Sequence, residues 1–413
     1  MNRTVVCIET PDFMTDALRA IAAVEGDEIV TVAHEGDAAA TIRSDVRRDV
    51  DAAFDAIRDR VARPAAVLTT QEMFLTQAAT LADRFGVLKD SVAVVTTTRD
   101  KARMKAVWAA AEVRTARSGF YRTAAEVRPR SGELAYPVIV KPSLGYASVG
   151  VKLVASEDDL VAHLRQVSLV NSTVVAKERL ADVGLLVEEY LDGEEYSVDT
   201  VWFDGRPMCD GVLSKGVPQG PYFPDRLYHL DPELDDERRK QVVALSHEAV
   251  TAVGVRHGAT HTEIRFRDGE PFVLETTNRP GAGGVFHLLF RYATGVDFAR
   301  AYYASLVSED LAEFVAVAGQ PAPGRPDPDG HYFWYNVPPP GTGVIREIHG
   351  LRELRSRPGV LLGLCYKKPG GALYGEGLES DYFCSVVGRA DPAAGTPIED
   401  HVRQFDSALE VIF

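Results

Sequence analysis

Two glutamates, Glu263 and Glu275, lie in the stretch THTEIRFRDGEPFVLETTNRPGAGG at a spacing that a β-hairpin can turn into a facing pair. A hairpin about Asp268-Gly269 with a three-residue connection, Asp268 to Glu270, pairs Phe266 with Phe272 and Ile264 with Leu274 on one face. The same register sets Glu263 opposite Glu275. A two-residue turn sends the glutamates to opposite faces and scrambles the apolar set, so the hydrophobic pattern favours the longer connection. Carboxylates whose Cβ atoms lie about 5 Å apart repel each other unless a cation sits between them. A hard ion such as Mg²⁺, or Mn²⁺ in its place, answers that need and fills its shell with water and phosphate oxygens. His261, two residues before Glu263, shares its strand face and should point to the same site, unless it is a hydrogen-bonded structural group. Arg279, just past the strand, can meet charge developing on an oxyanion or a phosphoryl group, or pair with one of the glutamates.

Three further stretches carry suitable groups. In YPVIVKPSLGYASVGVKLV, 136–154, a buried strand ends at Lys141 and a Gly/Ser loop follows. Gly145 and Gly150 have Walker-like spacing, but no Gly-Lys-Ser/Thr follows and the next element is a strand, so this is not a P-loop. The loop is either an ordinary hairpin turn or a cover whose N–H groups lie over phosphates, with a lysine at its base. In LLVEEYLDGEEYSVDTVWFDG, 185–205, backbone groups around Glu188 and Leu191 can frame an adenine edge and Glu195 can accept from ribose hydroxyls. The alternative is a solvated acidic turn. TTTRDKARMKAVWAAAEV, from Thr96, reads as one capped helix with Met104, Val107, Trp108 and Ala111 in its apolar stripe and Lys101 and Lys105 on the opposite flank.

The elements that must hold these groups follow from length and pattern. The 413 residues exceed one ordinary core, so two or three subdomains are expected. Residues 1–95 alternate apolar runs with helical patterns, which reads as a β-α-β-α-β-α unit with a parallel sheet. A connecting helix segment, 96–127, leads to a small α+β lobe, 128–190, and a larger lobe, 191–318. The Pro/Gly-rich stretch GQPAPGRPDPDG, 319–330, is expected to link these to a β-rich C-terminal subdomain, the whole C-terminal portion being 319–413.

Composition narrows the partners. A net charge of −15 with no basic run disfavours nucleic acid, so an anionic ligand must be held by a few placed cations and a metal. No apolar run approaches the roughly 20 residues of a membrane helix, and MNRTVVCIET lacks the pattern of a secretory signal. A soluble cytoplasmic protein is the expectation, with a homodimer possible. The four scattered cysteines favour neither zinc nor a disulfide framework.

Taken in order, the D-K helix, V-K-P with its Gly/Ser loop, E-E-Y-L and E…E-x-x-N-R resemble the ATP-grasp superfamily over roughly residues 96–305. HTEIRF, LSKG…PYFPD at 213–225 and NRPG…ATGVD at 278–297 are similar to L-amino-acid ligases such as bacilysin, dapdiamide and carnosine synthetases. The resemblance implies an ATP-grasp fold: an N-terminal parallel α/β domain, a small ATP-lid lobe and a central to C-terminal α+β lobe. It implies that Lys101, Lys141 and Ser148 contact ATP, that Glu188 and Leu191 frame adenine, and that Glu195 binds ribose. Glu263 and Glu275 would hold Mg²⁺ with Asn278 beside them, and Arg279 would steady the acyl phosphate. Lys215 matches a lysine reaching the terminal phosphate, and His261 one lining the amino-acid pocket. One departure stands out: where many members read E-x-N-x-R, Thr277 occupies the asparagine position and Asn278 is displaced by one.

The activity so implied is ATP-dependent amide formation between two amino acids, a dipeptide or γ-glutamyl-type product arising through an acyl phosphate with release of ADP and phosphate. An ATP-grasp phosphotransferase or carboxylase, or a non-catalytic ATP-binding regulator, are the alternatives. The loop 142–150 is expected to close over ATP as a lid and to be disordered without it.

Overall fold

The structure, a computed structural model, describes residues 3–34, 39–173, 183–319, 330–374 and 382–413. At the N-terminus stand β1 (Thr4–Ile8), α1 (Asp12–Glu25), β2 (Glu28–Ala33), β3 (Ile42–Arg43), α2 (Val50–Arg60), β4 (Ala66–Leu68) and α3 (Leu75–Arg84). Their strands form a parallel sheet in the order β3-β2-β1-β4. Both faces of such a sheet are covered, which is why the first strand reads as the unbroken apolar run TVVCI. The β-α pattern matches the expectation except for β3, whose two residues are too few to leave a periodic signal.

The single helix expected from Thr96 is instead two, α4 (Val92–Arg99) and α5 (Lys101–Ala110). Asp100 separates them with extended backbone, and its side chain accepts from the N–H groups of Ala102 and Arg103. That capping satisfies two N–H groups that a continuous helix would otherwise bond internally. Met104 and Trp108 enter the core, where the Trp108 indole donates to the Ala249 carbonyl at 2.9 Å.

The small lobe comprises β5 (Ser118–Tyr121), α6 (Ala124–Val127), β6 (Val138–Pro142), β7 (Lys152–Val154), α7 (Glu157–Thr173) and β8 (Leu185–Glu189). Its antiparallel order is β5-β8-β6-β7, so the lobe's sheet starts at Ser118 and not near residue 128.

An eight-stranded sheet dominates the rest. It contains β9 (Glu195–Phe203), β10 (Arg206–Gly216), β11 (Leu227–His229), β12 (Gly258–Arg267), β13 (Glu270–Thr277) and β14 (His331–Val337). After the short strands β15 (Gly343–Val344) and β16 (Glu347–His349) it takes up β17 (Val360–Cys365) and, past β18 (Ala372–Leu373), β19 (Cys384–Ala390). β15 pairs with β18, and β16 with β20 (Glu410–Ile412). The order β13-β12-β9-β10-β11-β14-β19-β17 means that the C-terminal strands extend the large lobe's sheet. Most of the expected linker, 320–329, lies outside the described residues.

Helix α8 (Asp236–Val253) covers one face of this sheet, and α9 (Val285–Thr294) and α10 (Phe298–Val307) cover the other, with α11 (Leu311–Ala318) beyond. Val5, Met14 and Leu18 share a core with Phe286, Tyr303 and Trp334, so the N-terminal domain is fused to the large sheet by apolar packing. Among the described residues no helix is long and apolar enough to cross a membrane.

The β12–β13 hairpin corrects one expectation and keeps another. Asp268 (φ 52°) and Gly269 (φ 81°) form a two-residue turn with Arg267 opposite Glu270, since Asp-Gly readily takes positive φ at both positions. Ile264 therefore faces Val273, not Leu274, and Phe266 faces Pro271, not Phe272. Leu274 is then an extra residue, and the resulting bulge restores the opposition of Glu263 and Glu275.

Candidate active site

Alternation along two adjacent strands builds the floor of the site. Glu195, Ser197 and Asp199 of β9 stand opposite Arg265, Glu263 and His261 of β12, so all six share one sheet face. The intervening Tyr196, Val198 and Ile264 enter the core on the other face.

A cleft opens between this floor and the small lobe. Lys101, Lys141, Gly145, Ser148, Glu188, Leu191, Glu195 and Lys215 all border it, so the residues expected to hold nucleotide converge. The break at Asp100 puts Lys101 in the first turn of α5, where its ammonium meets Glu275 at 2.8 Å and donates to the Gly145 carbonyl at 3.1 Å. Lys141 pairs with Glu188 at 2.8 Å. The Glu188 backbone lies inside the small sheet, opposite both Ser118 and Ile139. Backbone outside the sheet's ladder therefore begins past β8, at Tyr190 and Leu191. Within the loop, Leu144 and Val149 are buried against Val170, which leaves Gly145 to Ser148 as a tip with Ala147 and Ser148 at positive φ.

Lys215 is the most heavily countered cation. It pairs with Glu195, with Asp225 at 2.8 Å and with Glu263 at 3.1 Å, and lies 4.7 Å from the Tyr228 ring centre. Burial would lower its pKa, but these carboxylates hold it well above the usual lysine value. Glu195 is also gripped by Arg265, whose Nε donates at 2.7 Å and whose other arm reaches the Leu191 carbonyl at 3.4 Å.

Beyond the cleft lies a cavity of about 380 Å³. Lys101, Gly145, Tyr146, Ser148, Glu263 and Glu275 border both spaces, so the carboxylate pair stands at their junction. Burial would raise the Glu263 pKa, but Lys215 and His261 hold it well below the usual carboxylate range. The pair suits Mg²⁺, which takes hard oxygen donors from one or two carboxylates and leaves its other positions to water and phosphate. Among the described residues no group of three His, Cys, Asp or Glu side chains closes around one point. Asn278 does not join it: Glu275 and Thr277 face the site, and the next residue turns to the opposite side, beside Gly258, Tyr302 and Leu306.

His261 borders the cavity. Its Nδ1 lies 2.8 Å from Asp199 and its Nε2 3.8 Å from Glu263. Burial pulls its pKa down, yet Asp199 and Glu263 outweigh that and place it at about 9, so the ring is an imidazolium at neutral pH. Arg279 also borders the cavity, and its ion pair is with neither Glu263 nor Glu275. Its Nε donates at 2.5 Å to Glu72, which also accepts from Arg99 at 2.6 Å and from the Thr277 hydroxyl at 2.7 Å. Burial pushes Glu72 up, but Arg279 and Arg99 prevail and hold it at about 2.

Several groups escaped the sequence reading. Asp199 and Arg265 were legible in principle, each falling two residues from a chosen residue or in step with one along a strand. Glu72 and Asp225 were not, because they reach the site from distant segments. The cavity's aromatic wall is likewise assembled from afar: Tyr228, Phe286, Trp334 and Tyr382 contact one another in series with ring centres 4.7–6.0 Å apart.

Comparison with known proteins bears on this arrangement. Residues 134–286 match the ATP-grasp domain family model. The crystal structure of an L-amino acid ligase from Bacillus licheniformis superposes with a TM-score of 0.84 at 23% identity, covering 100% of this chain and 99% of that one. The chain has the ATP-grasp fold. Alanine–anticapsin ligase of Bacillus subtilis is 26% identical over 230 residues, 52% of this chain and 48% of that protein. Carnosine synthase 1 of Gallus gallus is 29% identical over 206 residues, 48% of this chain and 20% of its own length. The matched stretch thus spans about half of the first relative and less of the second. Within the ATP-grasp fold, the small lobe supplies one wall of the cleft and the eight-stranded sheet supplies its floor.

Proposed function

We propose that this chain is an ATP-dependent, Mg²⁺-requiring ligase that activates the carboxylate of one amino acid as an acyl phosphate and joins it to the amine of another. The observation that carries this reading is the junction: Glu263 and Glu275 border both the lysine-lined cleft and the cavity. A nucleotide in the first would present its terminal phosphate to a carboxylate in the second. The names of the relatives, alanine–anticapsin ligase, carnosine synthase and L-amino acid ligase, support amino acids as the substrates.

In this reading a substrate carboxylate oxygen attacks the γ-phosphorus and the bond to the β–γ bridging oxygen breaks, releasing ADP. The amine of the second amino acid then attacks the acyl carbon, phosphate leaves, and the amine loses a proton. Lys101, Lys141 and Lys215 orient the phosphates and offset their charge. Bound at Glu263 and Glu275, Mg²⁺ would supply further neutralisation of phosphate charge. Arg279 and His261 line the cavity, and in this reading their positive charges would steady the oxyanion developing at the carbonyl. The tip Gly145–Ser148 shields the acyl phosphate from water.

The test is to incubate the protein with ATP, Mg²⁺ and pooled amino acids, following phosphate release and product masses. Release that requires two amino acids, with a product mass equal to their sum less water, is expected. A stable phosphorylated product would replace ligation with phosphotransfer, and a bicarbonate requirement with carboxylation. Tight ATP binding without amine-dependent turnover would leave a regulatory binder.

A further inference from the structure

Beneath the cleft, three charged side chains are buried together: Lys105, Lys141 and Glu188, respectively 5%, 6% and 3% exposed. Lys141 and Glu188 border the cleft, whereas Lys105 does not. Glu188 gives one oxygen to Lys141 at 2.8 Å, and its other oxygen, which accepts no hydrogen bond, lies 3.5 Å from the Lys105 ammonium as an ion pair. Two ammonium groups thus share one carboxylate, leaving one positive charge in excess under a space lined for phosphates. An uncompensated buried charge is costly, and an anion arriving in the cleft relieves it.

Lys105 is fixed from a second direction. Its ammonium donates to the Thr115 hydroxyl at 2.7 Å, and that hydroxyl donates to the Val273 carbonyl at 2.7 Å, two residues before Glu275. Val273 also donates to the Arg114 carbonyl at 3.0 Å. Thr115 lies on the chain crossing from the large sheet to β5 of the small lobe, so Lys105 sits where the two lobes join.

We propose that Lys105 is a positioning residue for nucleotide binding: by holding one oxygen of Glu188 it leaves Lys141 able to turn its ammonium to a phosphate in the cleft. Without Lys105, Glu188 has Lys141 as its sole cationic partner and keeps it. The surroundings agree. Burial pulls Lys105 down, Glu188 from β8 and Glu275 from β13 pull it up, and Lys141 from β6 pulls it down again, leaving it at about 8. Lys141 moves the other way, because Glu188 and Glu275 outweigh its burial. Lys105 is therefore the member of the pair whose charge is conditional.

This rests on reading the cleft as a nucleotide site, and direct binding separates the two ideas. Titration calorimetry with ATP and Mg²⁺ is applied to the wild type, K105M, K105R and the double variant K105M/E188Q. Losing one charge-assisted contact of about 1.4 kcal/mol or more should weaken K105M about tenfold. K105R, which keeps the charge, should bind within about threefold of wild type. K105M/E188Q, which restores the single excess positive charge, should recover most of the loss, a rescue that a merely structural lysine would not show. Equal binding by K105M and wild type, or no recovery in the double variant, overturns the proposal. If K105M does not fold, the wild type decides alone: its affinity should fall as pH rises from 7 to 9.5, and a flat profile overturns it. A wild type that binds no ATP refutes the proposed function itself.

Discussion

At the scale of single residues, the site is a set of charges each held by a named opposite. In the proposed reaction Arg279 and Glu275 would have roles at the reacting centre that no neighbour duplicates. Arg279→Ala or Glu275→Gln should therefore lower ligation by roughly 100- to 1000-fold with an unchanged circular dichroism spectrum; near-normal phosphate release by both would place the chemistry elsewhere. Glu72 allows a different test. Its folded pKa, about 2, lies below its unfolded value because Arg279 and Arg99 outweigh burial. The stability it contributes is present above the unfolded pKa of about 4.3 and is lost as pH falls through the folded one, an effect on the order of 3 kcal/mol. Urea unfolding at pH 6 and pH 3 should show wild type well above Glu72→Gln at the higher pH, with the gap narrowed to about half at the lower, which still lies above the folded pKa. A constant gap between them would mean that the ion pairs contribute nothing.

At the scale of elements, two local devices aim the side chains. Asp100 ends one helix and starts another, and so fixes where Lys101 points. Asp100→Ala should cost about 1 kcal/mol of stability, seen as a lower Tm, and should weaken ATP binding in calorimetry. Gly281 has no room for a side chain: a Cβ there would fall 2.3 Å from Phe286, 2.7 Å from His261 Nδ1 and 2.9 Å from Asp199. Its N–H also donates to Asp199 at 2.7 Å. Gly281→Ala should displace His261 and suppress ligation while ATP still binds; full activity would show that the imidazolium is dispensable. These devices mark the limit of what sequence patterns reveal. The N-terminal β-α alternation was legible because period encodes it directly; the lysines stood out through the ordered motifs, and the opposition of the glutamates was reached through a three-residue connection that the structure replaces with a two-residue turn and a bulge. The bulge at Leu274 was not, since an extra residue breaks the period from which register is read. Nor could the pattern separate Asp100 as a cap within an otherwise helical run, or reveal that Glu72 crosses from the N-terminal domain to Arg279.

At the scale of the whole molecule, the cleft and the cavity are built differently. The cleft lies between the small lobe and the large sheet, and its cover is anchored by Leu144 and Val149. Hydrogen exchange should accordingly slow at residues 145–148 when ATP and Mg²⁺ are added, with little change at 144 and 149; equal protection in both states would remove the lid role. The cavity instead draws its wall from the N-terminal domain through Phe13 and Glu72, from the large sheet through Tyr228, and from the C-terminal portion through Trp334 of β14 and Tyr382 just before β19. Of these five, none borders the cleft. Inheritance can therefore treat the two compartments separately. If the proposed reaction holds, substitutions at Phe13 and Trp334 would redirect which acids and amines are chosen while the phosphate-binding cleft is left untouched, whereas Glu72 holds Arg279 and Tyr228 reaches Glu263, so a laboratory library would keep those two fixed.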